Sequence, residues 1–305
     1  MNLVAVPLAL GGAASFAVSS ALQQRAARAT PADESLSWRL IADLLHRRIW
    51  LIGMGCVLFG FALQATALSL APVAVVEPLI ATELVLALPL ASRLRRRRLG
   101  PREWLGAAAV SSGVGLFMAV SSPQGGNPEP SLVTWISVGL PVLAAGGCAI
   151  ALAGKDETPR RACFLAVAAG LCFALLALII QSLDTLFASG PVAAFTSWQP
   201  YALAILGPIG FTVAQSAYQA APLAISLPII DSVEPTGAVI FSVLAFHQNL
   251  SFSPTSLALE SLGALTALVG IFLLGRSPVV LSIYERQQGQ KEASTEASLR
   301  PSPAV

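Results

Sequence analysis

Five acidic side chains fall inside long apolar stretches of this sequence: Glu77, Glu83, Asp231, Glu234 and Glu260. An ionised carboxylate in hydrocarbon costs at least about 2.5 kcal/mol even on the most lenient insertion scales. No Lys or Arg lies in those stretches to neutralise them. Such groups must face a water-filled cavity, bind a cation or carry a proton. The chemistry on offer is therefore proton uptake and release, or oxygen ligation of a cation.

Their spacing says where they sit. Eleven residues separate Pro72 from Glu83, and twelve separate Pro222 from Glu234. At 1.5 Å per helical residue, each carboxylate lies about 16–18 Å from the turn that starts its segment, near the middle of a bilayer. Asp231 is one turn from Glu234 on the same helix face. Gln64, Gln215 and Gln219 can add neutral hydrogen bonds to such a site. Pro78, Pro228 and Pro235 each free a backbone carbonyl inside a helix, which is tolerable only beside a cavity or other polar groups. With Pro72 and Pro222 at the turns, they are the expected helix breaks and hinges. Glu77 and Glu260 lie about five residues from a helix end, so for them capping or pairing with Ser and Thr is as good a reading as ligand binding.

If the site holds a metal cation, Glu83, Asp231 and Glu234 are the expected ligands. No transition-metal site can be argued, since His46 and His247 are isolated. The four cysteines (Cys56, Cys148, Cys163 and Cys172) fall in apolar stretches without a CxxC pair.

The elements that must carry these residues are transmembrane helices. Of 305 residues, 55% are hydrophobic and only 11% charged, against about 25% charged in an ordinary soluble domain. Apolar runs of about 20 residues match a ~30 Å hydrocarbon core. Nine are expected, at 3–22, 49–70, 73–92, 104–121, 132–152, 162–183, 201–220, 223–246 and 255–274. Barrel strands would alternate over about ten residues, and these runs do not. The fold class is thus all-α, a polytopic integral membrane protein. A soluble enzyme, a nucleic-acid-binding protein and a disulfide scaffold are excluded. No HExxH or GxSxG sequence suggests an enzyme, and no cofactor is called for. The first run lacks the basic start and small-residue cleavage site of a signal peptide, so it is expected to remain as a span.

All 18 Lys and Arg residues fall in four segments: after the first run, after the third, after the fifth, and in the tail. Under nine spans these share one side. Cytoplasmic loops concentrate basic residues, so the N-terminus is expected outside and the C-terminus in the cytoplasm of a multi-pass cell-membrane protein. Trp50 and Trp104 begin spans at the cytoplasmic interface, and Trp135 and Trp198 lie near the outer one. The basic cluster at 93–98 reads first as a topology determinant near anionic lipid. Segment 34–48 places Leu36, Leu40, Ile41, Leu44 and Leu45 at helical spacing, which predicts an amphipathic helix on the membrane surface. The tail, 276–305, has the composition of a disordered segment.

The sequence is also written twice. LQATALSLAPVAVVEPLIATE (63–83) matches AQSAYQAAPLAISLPIIDSVE (214–234), pairing Gln64 with Gln215, Ala71-Pro72 with Ala221-Pro222, and Pro78 with Pro228. Gly106 and Gly113 recur as Gly263 and Gly270, with about seven residues added in the loop 246–252. Two units follow, 1–121 with four spans and 132–275 with five. Nine spans place the matched turns on opposite faces, so the copies are inverted, a signature of secondary transporters.

The Ala-Pro turn, the Glu77-Pro78-Leu79 sequence, the basic loop and the helix with Gly113 and Gly115 resemble the drug/metabolite transporter superfamily, in its EamA-like clan. The resemblance covers about residues 1–275 and is nearest to the branch of NIPA-type magnesium transporters. Two features depart from the clan: the first unit has four spans where five are usual, and the second copy reads Ser226-Leu227-Pro228 where the first has Glu-Pro-Leu. The resemblance implies an inverted-repeat transporter moving a small metabolite or drug by alternating access, with Glu83 or Glu234 passing a proton. The alternative it implies is a magnesium transporter. A non-transporting membrane protein, such as a lipid-handling enzyme or scaffold, is the third reading. The expected partners are the lipid bilayer and a small-molecule or ion substrate, without nucleic acid; a homodimer is compatible.

Overall fold

Backbone N–H and C=O groups surrounded by hydrocarbon have no water to bond, so an apolar run must satisfy them internally. In the computed structural model, which describes residues 4–94, 99–121, 130–155, 158–246 and 253–277, every regular element is helical. The helices are α1 (Ala5–Ala27), α2 (Trp38–Leu45), α3 (Arg48–Leu70), α4 (Val73–Ile80), α5 (Glu83–Leu94), α6 (Pro101–Val120), α7 (Leu132–Ala153), α8 (Pro159–Ser189), α9 (Pro191–Thr196), α10 (Gln199–Ala220), α11 (Leu223–Phe246) and α12 (Pro254–Gly275). Among the described residues, eight spans are long and apolar enough to cross a membrane, with α4 and α5 together forming one of them. The eight make this an all-helical chain of the multi-pass membrane type. The remaining expected span, α10, is 22 residues long but carries Gln199, Gln215 and Gln219, which lower its hydropathy.

Local signals set the helix starts. Ser131, Thr158 and Ser253 each accept a backbone N–H from three residues on, at 3.0–3.2 Å, and Pro159 and Pro254 follow at the first helical position. Three features differ from the sequence expectation. The third expected span is not one helix: it stops at Ile80 and restarts at Glu83. Pro78 has no N–H to give its turn, and Thr82 closes the end with both its backbone N–H and its hydroxyl on the Leu79 carbonyl. The sixth span runs to Ser189 rather than stopping near 183. At 31 residues it is about 46 Å long, so its polar end outruns the hydrocarbon. It ends at Gly190, whose φ of 127° suits glycine alone, and the unexpected short helix α9 follows. The amphipathic segment is shorter than 34–48. After a 3₁₀ turn at Ala32–Glu34, only α2 is α-helical, with Leu40 and Leu44 fully buried but Leu36, Trp38 and Leu45 exposed. The basic residues Arg95–Arg98, the loop 247–252 and the tail from 278 lie outside the described residues.

Packing gives each half a hub. α1 packs against α3 and α4–α5, while α8 packs against α7, α10 and α11. The most extensive helix pair is α6 with α12, and glycine makes it possible. A Cβ on Gly113 would lie 2.5 Å from the Ala267 nitrogen and 2.6 Å from the Gly263 oxygen. A Cβ on Gly270 would lie 2.7 Å from the Gly106 oxygen. Gly106 thus meets Gly270 and Gly113 meets Gly263, so the two helices cross antiparallel with their backbones nearly touching. Trp50, expected at the interface, is instead buried edge-on to Phe211. Trp135 and Trp198 do meet, edge to face at 5.0 Å.

Candidate functional site: an acidic cavity between the halves

The break after Ile80 puts Glu83 at the first position of α5, where helix N–H groups are unpaired and a carboxylate is electrostatically welcome. From there it faces a cavity of about 400 Å³. α3 contributes Gln64, α4 contributes Glu77, and α11 contributes Asp231, Glu234 and Pro235. Four of the five acids singled out above therefore converge on one chamber, from both copies of the repeat. Among the described residues, no Lys, Arg or His lines it.

Two of the four carboxylates are held. Gln64 donates from Nε2 to Oε1 of Glu77 at 2.9 Å, and the Ser20 hydroxyl donates to Oε1 of Glu83 at 2.7 Å. Asp231 and Glu234 accept no hydrogen bond from the described residues, although each lies close enough to Glu83 to feel its charge, and Glu234 also feels Glu77. Like charges this close in a low-dielectric setting demand a bound cation, protons or water. Ser111, only 7% exposed, also lines the cavity with a hydroxyl that no described group satisfies. The apolar wall includes Phe16 and Phe61, whose rings meet edge to face at 5.1 Å.

The other expected site residues lie elsewhere. Gln215 and Gln219 are almost fully buried and point away from the chamber, Gln215 to the Gln23 amide and Gln219 to Thr30 and Pro31. Glu260 is on α12 and does not line the cavity. Pro72 and Pro222 do stand at the turns, with Ala71 and Ala221 before them in the same extended conformation. Pro78 ends its helix within a turn, whereas Pro228 and Pro235 leave α11 unbroken. Among the described residues, no group of three or more His, Cys, Asp or Glu side chains converges closely enough to hold a metal ion.

Sequence reasoning missed Ser20, Ser111, Phe16, Phe61 and Tyr218, the last lying beside Ser20, Glu83 and Asp231. A serine or phenylalanine in an apolar helix is too common to signal a site by itself. The one signal present was position: Ser20 precedes Gln23 and Gln24 on α1, a polar stripe that an amphipathic reading of the first span could have followed.

Compared with known proteins, the chain is 28% identical over 277 residues to an uncharacterized protein of Corynebacterium glutamicum, an alignment covering 90% of this chain and 96% of that one. The likeness therefore runs through both halves. No family model matches the chain, and no solved structure matches it.

Proposed function

We propose that this chain is a secondary transporter of the drug/metabolite type, carrying a small polar or amphipathic substrate through the acidic cavity by alternating access. The observation that carries this reading is the chamber itself: four carboxylates with no base among the described residues around them, on helices from both halves. About 400 Å³ is enough for a small organic ligand. Carboxylates repel an anion, and Phe16 and Phe61 add aromatic surface to the wall, so the favoured substrate is positively charged with an apolar body. Its arrival can displace protons from Glu83 and Glu234, which couples transport to a pH gradient.

The topology in this reading has nine spans, with α10 as the ninth, the N-terminus outside and the tail in the cytoplasm of the cell membrane. The antiparallel crossing of α6 and α12 supports two inverted units at 1–121 and 132–275. So do the matched Ala71 and Ala221 turns, each closed by a hydrogen bond from three residues beyond the proline. An uptake or efflux assay in proteoliposomes tests the coupling. Transport should follow an imposed pH gradient and be lost in Glu83→Gln, and flux indifferent to both would overturn it.

The second reading is magnesium transport, favoured by the all-oxygen character of the polar lining. Magnesium would sit there on one or two carboxylates and retained waters, since among the described residues no three carboxylates lie close enough to share an ion. Rescue of a magnesium-starved, transport-deficient strain that disappears with Glu234→Ala would raise it above the first.

A further inference from the structure

The first Ala-Pro copy stands open beside the chamber, while the second is shut up to Ile230 and reaches the chamber only with Asp231 and Glu234. Every residue from 213 to 230 is buried, whereas in the matching stretch 63–80 only Ala67, Ala71 and Val76 are, the side chains of 73 and 74 aside. What shuts the second copy is polar. Gln24 donates to the Ala221 carbonyl at 3.0 Å, and Arg28 to the Gln219 carbonyl at 3.2 Å. Gln219 donates in turn to the Thr30 hydroxyl at 2.9 Å and the Pro31 carbonyl at 2.7 Å. The Leu36 N–H donates to the Ser216 hydroxyl at 2.9 Å. All of these bonds join the end of α1 and the strap after it to the α10–α11 turn, across the two halves.

The seam is also incompletely satisfied. Oε1 of Gln215, Oε1 of Gln219 and the Ser226 hydroxyl are buried without a partner among the described residues. An apolar plug would carry no such cost, and water reaching these atoms would relieve it. The seam leads to the chamber, since Gln23 and Gln24 lie one turn beyond Ser20, which holds Glu83. We infer that residues 24–36 form a polar latch that holds shut a second access path to the acidic cavity, between α1 and the α10–α11 turn. The path opens when the latch exchanges its hydrogen bonds for water. This rests on the reading of the cavity as the transport site.

The test reads access rather than flux. In a full-length background with its four cysteines replaced by alanine, Ser226→Cys is introduced and its reaction with a small hydrophilic maleimide is timed in proteoliposomes. With the latch intact, labelling should be slow. Adding Gln219→Ala, which removes the bonds to both Thr30 and Pro31, should accelerate it by at least about tenfold. Ser216→Ala, which takes from the latch the Leu36 contact and otherwise removes a bond to Thr212 within α10, should accelerate it less. A thermal transition for each variant shows that it is folded. Equal labelling rates in folded variants, or rapid labelling with the latch intact, would overturn the latch. Labelling needs no substrate, so a chain that moves none of the compounds tried but shows the graded acceleration refutes the carrier reading and keeps the latch. Coupled flux with unchanged labelling does the reverse.

Discussion

Ala71 leaves α3 at φ −150° and ψ 154°, and Ala221 leaves α10 at φ −149° and ψ 171°. Each is followed by proline, and Val75 and Ile225 close the turns on the Pro72 and Pro222 carbonyls at 2.9 and 3.0 Å. Locally the two turns are the same object. Their surroundings are opposite: Gln64 beside the first turn holds Glu77 in an open chamber, while its counterpart Gln215 is sealed against Gln23. Even the helices that follow diverge. α4 breaks after Pro78, whereas α11 continues through Pro228, where every residue from 223 to 230 is buried. The difference teaches that turn geometry is set by a few adjacent residues, while open or closed is set by what packs against them.

If the open copy serves ligands and the sealed copy serves stability, substitutions on the two sides should split by readout. The largest effect is expected at the open copy: Glu83→Gln should lower pH-driven transport by roughly 100-fold, the worth of a charge-assisted interaction, with its melting temperature held or raised. Loss of folding instead of transport would break the comparison. Gln215→Ala should do the converse and destabilise the protein by about 1–3 kcal/mol in thermal unfolding, because it leaves the buried Gln23 carbonyl unpaired.

The seam between the halves comes next. Gly113→Val should cost roughly 1–3 kcal/mol, since its side chain would press on the Ala267 and Gly263 backbones. Gly147→Ala, with nothing within 4 Å of the added carbon, should be neutral or stabilising by up to about 1 kcal/mol. Hydrogen–deuterium exchange reads the same contrast without mutation: amides of 213–230 should exchange at least about tenfold more slowly than those of 63–80. The smallest effect belongs to the surface helix α2. Its Asp43–Arg47 pair at 2.8 Å is about one-third exposed, and Asp43→Asn should cost no more than about 0.5 kcal/mol.

Much of this was legible from composition and spacing. A run such as 223–246 has no choice but to be helical in lipid, and it is α11 to the residue. Glu83 and Glu234 could be set at matching depths by counting from Pro72 and Pro222, and the structure brings them to one cavity. The break at 81–82 was not legible, because Pro78 and Pro228 look alike in sequence and only the first interrupts its helix. The length of α8 was misread because Gln181, Ser182 and Asp184 end the apolar run, yet backbone hydrogen bonding carries the helix past them. Gln215 and Gln219 were placed in the site by analogy with Gln64, and nothing local distinguishes an amide that faces water from one that faces another amide.

The sequence by itself determined that the chain is helical, rich in membrane-spanning runs and supplied with acids that hydrocarbon cannot leave unattended. Those are consequences of hydrophobicity and backbone hydrogen bonding, which act over a few turns. Only the tertiary structure decided that Glu77, Glu83, Asp231 and Glu234 share a chamber with Ser20 and Ser111, and that one of two matching turns is shut. Such contacts join residues up to about 200 positions apart, and their energies depend on which surfaces have already met.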